Sequence, residues 1–576
     1  MQGTSRQPTD SYSFGITWDD EKRGRALSGL LALLVAATLV YPVAARAQSP
    51  LPPISVIVRV LPGSGDAAER AVRSVDGSVG RRLAIIDGLS ARVPASSLPI
   101  LRTFPGIHSV TPDRRVRLLH EPFDPQADPG SMVNTAQVVG ARDMWRNGYT
   151  GRGVDVALID TGVVPVKGLT VPGKVVNGPD LSFESQADNL RHLDTYGRGT
   201  HLAGIIAGRD EEVGTDQLNA DHKNFMGIAP HARLVSIKVA NTYGVTDVSQ
   251  VIAAIDWVVQ HRRDNGLNIR VLNLSFGTDG TQDYRFDPLA YAAEVAWRKG
   301  IVVVTAAGNS GFGNAKLNNP AYDPYLIAVG ATDTKGTYST ADDTVPSWSS
   351  RGDGTRNPDL VAPGKSVVSL RDPGSYIDVN YPNGHVTDRF FRGSGTSQAA
   401  AVAAGAAALL IEQRPGISPD QVKALLMSTA TRLPDADPTA QGVGEMNLRA
   451  AMNTPTPIAV QTWQTSNGLG SLEQARGSVH VQDNNGVELR GERDIFGRAW
   501  DGLTWSANCW LETSWAGGDW NGVTWSGSSW SGLSWSGMTW SGMTWSGMTW
   551  SGLSWSGMTW SGLSWSGVTW SAVEWK

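Results

Sequence analysis

The stretch "IVVVTAAGN", Ile301–Asn309, is nearly all apolar, with Thr305 the one polar residue before it breaks at Gly308-Asn309. A strand with one wet face alternates apolar and polar residues. A strand apolar throughout is covered on both sides. The same kind of segment recurs in "VDVALID" (Val154–Asp160), "ARLVSIKVA" (Ala232–Ala240), "IRVLNLSFG" (Ile269–Gly277) and "YLIAVGATD" (Tyr325–Asp333). Helical patterns are interleaved with these strands: "DVSQVIAAIDWVVQHR" (Asp247–Arg262), "DPLAYAAEVAWRKG" (Asp287–Gly300) and, further on, "TSQAAAVAAGAAALLIEQ" (Thr396–Gln413). Buried strands alternating with helices predict an α/β block over residues 128–454, with a mostly parallel sheet between two helical layers. In such sheets functional groups gather where strands end and helices begin.

Four polar residues stand at those junctions. Asp160 ends "VALID" in Asp-Thr-Gly, and His201 lies in "GRGTHLAG" at the entry to an apolar helix. Asn309 ends "VVVTAAGN", and Ser397 lies in "GSGTSQAA" at a glycine-rich turn into the small-residue helix. Singly, each has a structural explanation as a turn or helix-capping residue. Together they resemble the subtilisin-like serine proteases, or subtilases. Asp-Thr-Gly at 160–162, Gly-Thr-His-x-Ala-Gly at 199–204 and Gly-Thr-Ser-x-Ala at 395–399 follow that family's order. "AAGNSG" (Ala306–Gly311) resembles its oxyanion motif, and "NPDLVAPG" (Asn357–Gly364) a further family segment.

The resemblance implies a serine endopeptidase. His201 would take the Ser397 proton, Asp160 would orient the imidazole, and Asn309 would donate to the oxyanion of an acyl-enzyme reaction. It also implies an extended substrate held between Gly244-Val245-Thr246 and Ser275-Phe276-Gly277, with protein or peptide substrates. No cofactor is required on this reading, no metal ligands are assigned, and a stabilising calcium is left open with its site unknown. Two residues depart from the family pattern: Arg198, where His is frequent, and Ala401, where Pro is common. Arg198 is read here as part of the cleft rim, outside the chemistry.

Two other readings stand beside this one. Asp-Thr-Gly also marks aspartic proteases, which need two copies; this chain has one, in an α/β context. The other is a catalytically dead binding protein that works through its tail.

The flanks give the organisation. In "EKRGRALSGLLALLVAATLVYPVAARAQS" (Glu21–Ser49), a basic start, an apolar run and Ala45-Arg46-Ala47 follow the plan of a secretory signal peptide. Residues 1–47 are therefore expected to be removed and the protein secreted. Residues 51–119 read as an α+β module, βαββαβ, with ten arginines against five carboxylates, while the rest of the chain carries the acidic excess of a −5 net charge. The module resembles the inhibitor-type propeptide of subtilases, which implies a zymogen and a docked intramolecular inhibitor. Cleavage is expected between Arg115 and Asp128. No nucleic-acid partner is expected.

Residues 455–499, entered through "TPTPIAVQTWQTSNGLGS" (Thr454–Ser471), read as a linker followed by a hairpin turning at Asn484-Asn485-Gly486. From Trp500 to Trp575 a tryptophan recurs every fifth residue, sixteen in all, with the consensus Trp-Ser-Gly-(Met/Leu/Val)-(Thr/Ser). Two readings are open: an ordered β-coil of five-residue sides, or a β-prone tail that associates with itself or with cell-envelope glycan through its rings. On either, the tail is expected to be repetitive, β-rich and dispensable for chemistry, with truncation after Thr454 leaving peptide hydrolysis intact. The single cysteine, Cys509, permits no intrachain disulfide.

Overall fold

The valine and isoleucine runs do form strands buried on both faces. In the computed structural model of the chain, every residue of Val302–Ala306 and of Asp155–Asp160 is buried. The structure describes residues 53–113 and 123–525, apart from 186, 188, 215–217, 313–315, 479 and 483–486, together with 559–560 and 563–564. The signal-peptide reading, most of the expected cleavage region and most of the tryptophan repeats lie outside the described residues. The chain divides into two units, residues 1–121 and 122–576.

The first unit has the βαββαβ order read from the sequence: β1 (Ile54–Val60), α1 (Gly65–Ser74), β2 (Ser78–Leu83), β3 (Gly88–Val93), α2 (Leu98–Leu101) and β4 (Ile107–Pro112). The strands form one antiparallel sheet in the order β2-β3-β1-β4. Val56, Val58, Leu89 and Val93 on the strands pack against Ala68 and Val72 of α1 and Leu101 of α2.

The second unit is built on a seven-stranded sheet. Its strands are β5 (Asp155–Asp160), β6 (Val175–Asp180), β7 (Arg233–Lys238), β8 (Ile269–Leu274), β9 (Val302–Ala306), β10 (Ile327–Thr332) and β11 (Leu360–Pro363), in the order β11-β10-β9-β8-β5-β7-β6. Every pairing is parallel. Helices α3 (Arg198–Ala207), α4 (Val248–His261), α5 (Pro288–Arg298), α6 (Thr396–Gln413) and α7 (Pro419–Thr429) cover it. This is the subtilisin-like α/β architecture. From β5 the chain builds β6 and β7 on one side and then β8 to β11 on the other, which makes the carboxyl ends of the adjacent β5 and β8 the switch point of the sheet.

Helix α6 is buried from Thr396 to Ile411, and its small residues explain how. A Cβ on Gly405 would lie 2.6 Å from the Cβ of Ile228, so only a bare backbone fits. A two-stranded ribbon, β12 (Val367–Leu370) with β13 (Phe390–Gly393), leads the chain into this helix.

Residues 455–499 are not a linker. They wrap over the α4–α5 side of the domain and are held there by polar contacts made to α4, α5 and the loops beside them. Ser466 N–H donates to Glu294 at 2.8 Å, and Gly470 N–H to the Phe286 carbonyl at 2.7 Å. In α8 (Leu472–Arg476), Arg476 forms a fully buried ion pair with Asp247 at 2.7 Å. The bridge Gln482–Glu488 flanks the expected hairpin, whose turn lies outside the described residues.

The wrap continues into the repeats. Helix α9 (Gly502–Leu511) and a meander of β14 (Trp515–Ala516), β15 (Asp519–Trp520) and β16 (Val523–Thr524) put Trp505, Trp515, Trp520 and Trp525 into the main core. The first repeats are thus part of the second unit, and their first turn is helical. Thr559–Trp560 and Leu563–Ser564 also pair antiparallel, β17 with β18. No helix among the described residues is long and apolar enough to cross a membrane.

Candidate active site

The Asp-Thr-Gly turn sits at the end of β5 because two glycines let it meet α3. A Cβ on Gly199 would lie 2.1 Å from the Gly162 carbonyl oxygen. Gly197, just before α3, has φ of 102°, a conformation L side chains rarely adopt. Thr161 ties the two motifs together: its hydroxyl accepts from Gly199 N–H at 2.9 Å and donates to Asp194 at 2.7 Å. Asp194 in turn accepts from the main-chain N–H groups of Gly197 and Thr200, each at 2.7 Å. This buried carboxylate organises the start of α3, and burial pushes its pKa up.

The residue that meets Asp160 is Arg198. Its guanidinium donates to Asp160 Oδ2 at 2.8 Å, with both side chains about 1% exposed. Asp160 Oδ1 accepts from Thr161 N–H at 2.9 Å. The same Arg198 nitrogen donates to the Ser275 main-chain carbonyl. Ser397, the second residue of α6, donates its hydroxyl to that carbonyl at 3.1 Å. Arg198 and Ser397 therefore converge on one oxygen, with Asp160 behind the guanidinium.

His201 is elsewhere. It is three residues further along α3 and faces the β12–β13 ribbon. Its Nε2 lies 3.2 Å from the Phe391 carbonyl, and the Val367 carbonyl also acts on the ring. Burial holds its pKa down, to about 4. The Ser369 hydroxyl donates to the His201 carbonyl at 2.7 Å, pinning the same turn of helix to β12. The expectation that His201 orients on Asp160 and takes the Ser397 proton is corrected. Its ring joins two main-chain strands, and Arg198 holds the carboxylate. One signal in the sequence pointed to Arg198: a cation at a helix N-terminus is disfavoured by the dipole, so it needs an anionic partner.

Asn309 reaches the start of α6, at the residue before Ser397. Asn309 follows β9, and its side-chain carbonyl accepts from Thr396 N–H at 2.9 Å and from the Thr396 hydroxyl at 3.0 Å. That fixes the amide beside the first turn of α6, with its donor end opposite Thr396.

The two expected substrate edges differ. Gly244-Val245-Thr246 folds into a turn on Asn241: Gly244 N–H donates to the Asn241 carbonyl at 2.7 Å, and Val245 N–H to the Asn241 side chain at 3.0 Å. Val245 and Thr246 are buried. Ser275-Phe276-Gly277 runs off β8 directly into the site. Phe276 is buried, and a Cβ on Gly277 would lie 2.8 Å from Asn318. Among the described residues no group of three His, Cys, Asp or Glu side chains is arranged to hold a metal ion.

Residues 151–444 match the model of the subtilase family, peptidase family S8. Serine protease AprX of Bacillus subtilis (strain 168) is 37% identical over 326 residues, covering 55% of this chain and 71% of AprX. Subtilisin DY of Bacillus licheniformis is 34% identical over 317 residues, covering 54% of this chain and 96% of that protein. Among solved structures, fervidolysin from Fervidobacterium pennivorans, a keratinolytic enzyme related to subtilisin, aligns with a TM-score of 0.45 and 23% identity over 75% of this chain and 64% of its own. The chain belongs to the subtilase family and, with it, to the serine-type endopeptidases, whose substrates are proteins and peptides.

Proposed function

We propose that this protein is a secreted endopeptidase that takes polypeptide in extended form along Ser275–Gly277, with the Gly244–Thr246 turn as the opposite wall, and offers Ser397 to the scissile carbonyl. The observation that carries this is the Ser397 hydroxyl at the N-terminus of α6, beside Asn309. Attack would form an acyl-enzyme: the Ser397 O–H and the peptide C–N bonds break, the ester forms, and the amine leaves with the proton. Developing negative charge on the carbonyl oxygen would be met by the Asn309 amide and by the helix end. Peptide-bond transfer of this kind runs on side chains and main-chain donors of the chain itself.

The N-terminal unit is proposed as a removable propeptide and inhibitor. Its fold and its arginine excess against an acidic remainder support that reading. The leader before it supports export. The test is slow hydrolysis of an apolar-P1 peptide anilide by the purified full chain, followed over days. Ser397→Ala is expected to abolish the reaction and to keep the N-terminal unit attached. Equal rates in the two proteins would refute the role of Ser397.

A further inference from the structure

We infer that Arg198 deprives Ser397 of a general base, so that the native site binds and positions polypeptide but cleaves it slowly, and that a histidine at this one position raises turnover. The inference rests on the reading of Ser397 as the nucleophile. It starts from an arrangement of four groups. Asp160, Arg198, the Ser275 carbonyl and Ser397 form one hydrogen-bonded line, with Arg198 between the carboxylate and the oxygen that holds the serine.

Acylation needs a group that accepts the Ser397 proton as Oγ bonds to the carbonyl carbon, and that later hands it to the leaving nitrogen. A guanidinium cannot do this. It is protonated at every accessible pH, presents five N–H donors and has no acceptor. The Ser275 carbonyl accepts the serine hydrogen bond, but a main-chain carbonyl is no base. Asp160 is engaged too. In a serine triad the acid stabilises an imidazolium as it forms; here its charge already faces a permanent cation, at 2.8 Å in a fully buried pair.

Among the described residues, Asp194, Tyr196 and His201 stand near Arg198, and none of them is placed to take that role. Asp194 lies beyond Thr161, bound to three N–H or O–H donors. Burial raises the Tyr196 hydroxyl far from neutrality. His201 is drawn to the β12–β13 carbonyls. Nor is Arg198 free to swing aside, since leaving would strand a buried carboxylate, at several kcal/mol. The proton of Ser397 is left to solvent hydroxide or to the departing amine. A positioned base contributes about 10²–10⁴ in rate, so its absence converts a protease into a protein that mainly holds its substrate.

The experiment compares wild type, Arg198→His, Ser397→Ala and the double variant Arg198→His/Ser397→Ala, as full chains, on one peptide anilide from pH 5 to pH 10. Wild-type hydrolysis is expected to climb with hydroxide across that range, without a plateau above neutrality. Arg198→His is expected to gain at least about a hundredfold at pH 8 and to level off above pH ~7, the signature of an imidazole base. The double variant should return to background. A wild-type profile that levels off near pH 7 overturns the inference, whether or not Arg198→His folds. So does a folded Arg198→His, judged by its melting temperature, with no gain while Ser397→Ala still abolishes the wild-type rate. If instead the gain survives Ser397→Ala, it is the reading of Ser397 that falls.

Discussion

At the scale of single residues, the decisive fact is that Arg198 and His201 stand three apart on one helix yet face different neighbours. Position 198 opens α3 and looks onto the end of β5; position 201 looks onto the β12–β13 ribbon. His201→Gln is therefore expected to act on stability. Disturbing a buried ring set between two main-chain carbonyls costs about 1–3 kcal/mol. The Ser397-dependent rate per folded molecule should change no more than a few-fold. Thermal melting and peptide hydrolysis on the same sample check this; loss of hydrolysis with an unchanged melt would return His201 to the chemistry. Asp160, Asn309 and Ser397 were legible because each ends a strand or opens a helix, and those junctions show in the hydrophobic pattern. Which side chain at the start of α3 meets Asp160 did not show in the hydrophobic pattern. "GRGTH" offers two polar side chains within one helical turn, and only the path of the backbone into that turn decides which reaches Asp160.

At the scale of elements, the wrap shows how a five-residue period behaves on a helix. A step of five advances about 140°, so successive tryptophans of α9 cannot face the same way. Trp505 is 2% exposed and Trp510 is 40% exposed. Trp505 and Trp520 both donate their indole N–H to Asp256 Oδ2 on α4, at 2.9 and 2.8 Å. Trp520 follows from the meander, where Asn521 and Gly522 have φ of 48° and 73°, as a two-residue hairpin turn requires. Trp520→Ala is expected to cost about 3–5 kcal/mol, a buried aromatic removed. Trp510→Ala, which loses packing over Arg298 and Lys299 at the surface, should cost well under half of that. Equal melting temperatures for the two variants would contradict the inward-outward assignment. A second junction is expected to be pH-sensitive. Glu294 on α5 accepts from Ser466, and burial raises its pKa from the ordinary 4.5 to about 7. A raised acid holds its proton longer in the folded state. Its contribution is complete below the ordinary value and is lost as pH climbs through about 7. Glu294→Gln keeps an acceptor for Ser466 and cannot ionise, so the variant should gain on wild type in melting temperature between pH 5 and pH 8. A constant difference across that range would show that Glu294 does not titrate there. The Thr, Pro, Ser and Gly composition of 454–471 hid all of this. Composition reports that a segment lacks regular structure, and an irregular segment can still be tied down by main-chain hydrogen bonds to its neighbours.

At the scale of the molecule, the catalytic unit extends past Thr454 at least as far as Trp525. Truncation after Thr454 would remove Arg476 from Asp247, two indoles from Asp256 and Ser466 from Glu294. It would also uncover the α4–α5 face on which Trp505, Trp515 and Trp520 pack. Breaking one buried ion pair by removing a partner costs about 3–5 kcal/mol, and each buried tryptophan adds a comparable amount. A domain of ordinary stability, about 5–15 kcal/mol, does not survive that sum. Truncation after Thr454 is therefore expected to give insoluble or unfolded protein, whereas truncation after Trp525, which keeps every one of these contacts, should stay folded and hydrolyse the peptide anilide. Only the second cut isolates the role of residues 526–576, so retention on the cell envelope and self-association are to be compared between it and the full chain. A soluble, fully stable product ending at Thr454 would show that the wrap is held by the domain without holding it together. Loss of stability on cutting after Trp525 would extend the catalytic unit into the distal repeats.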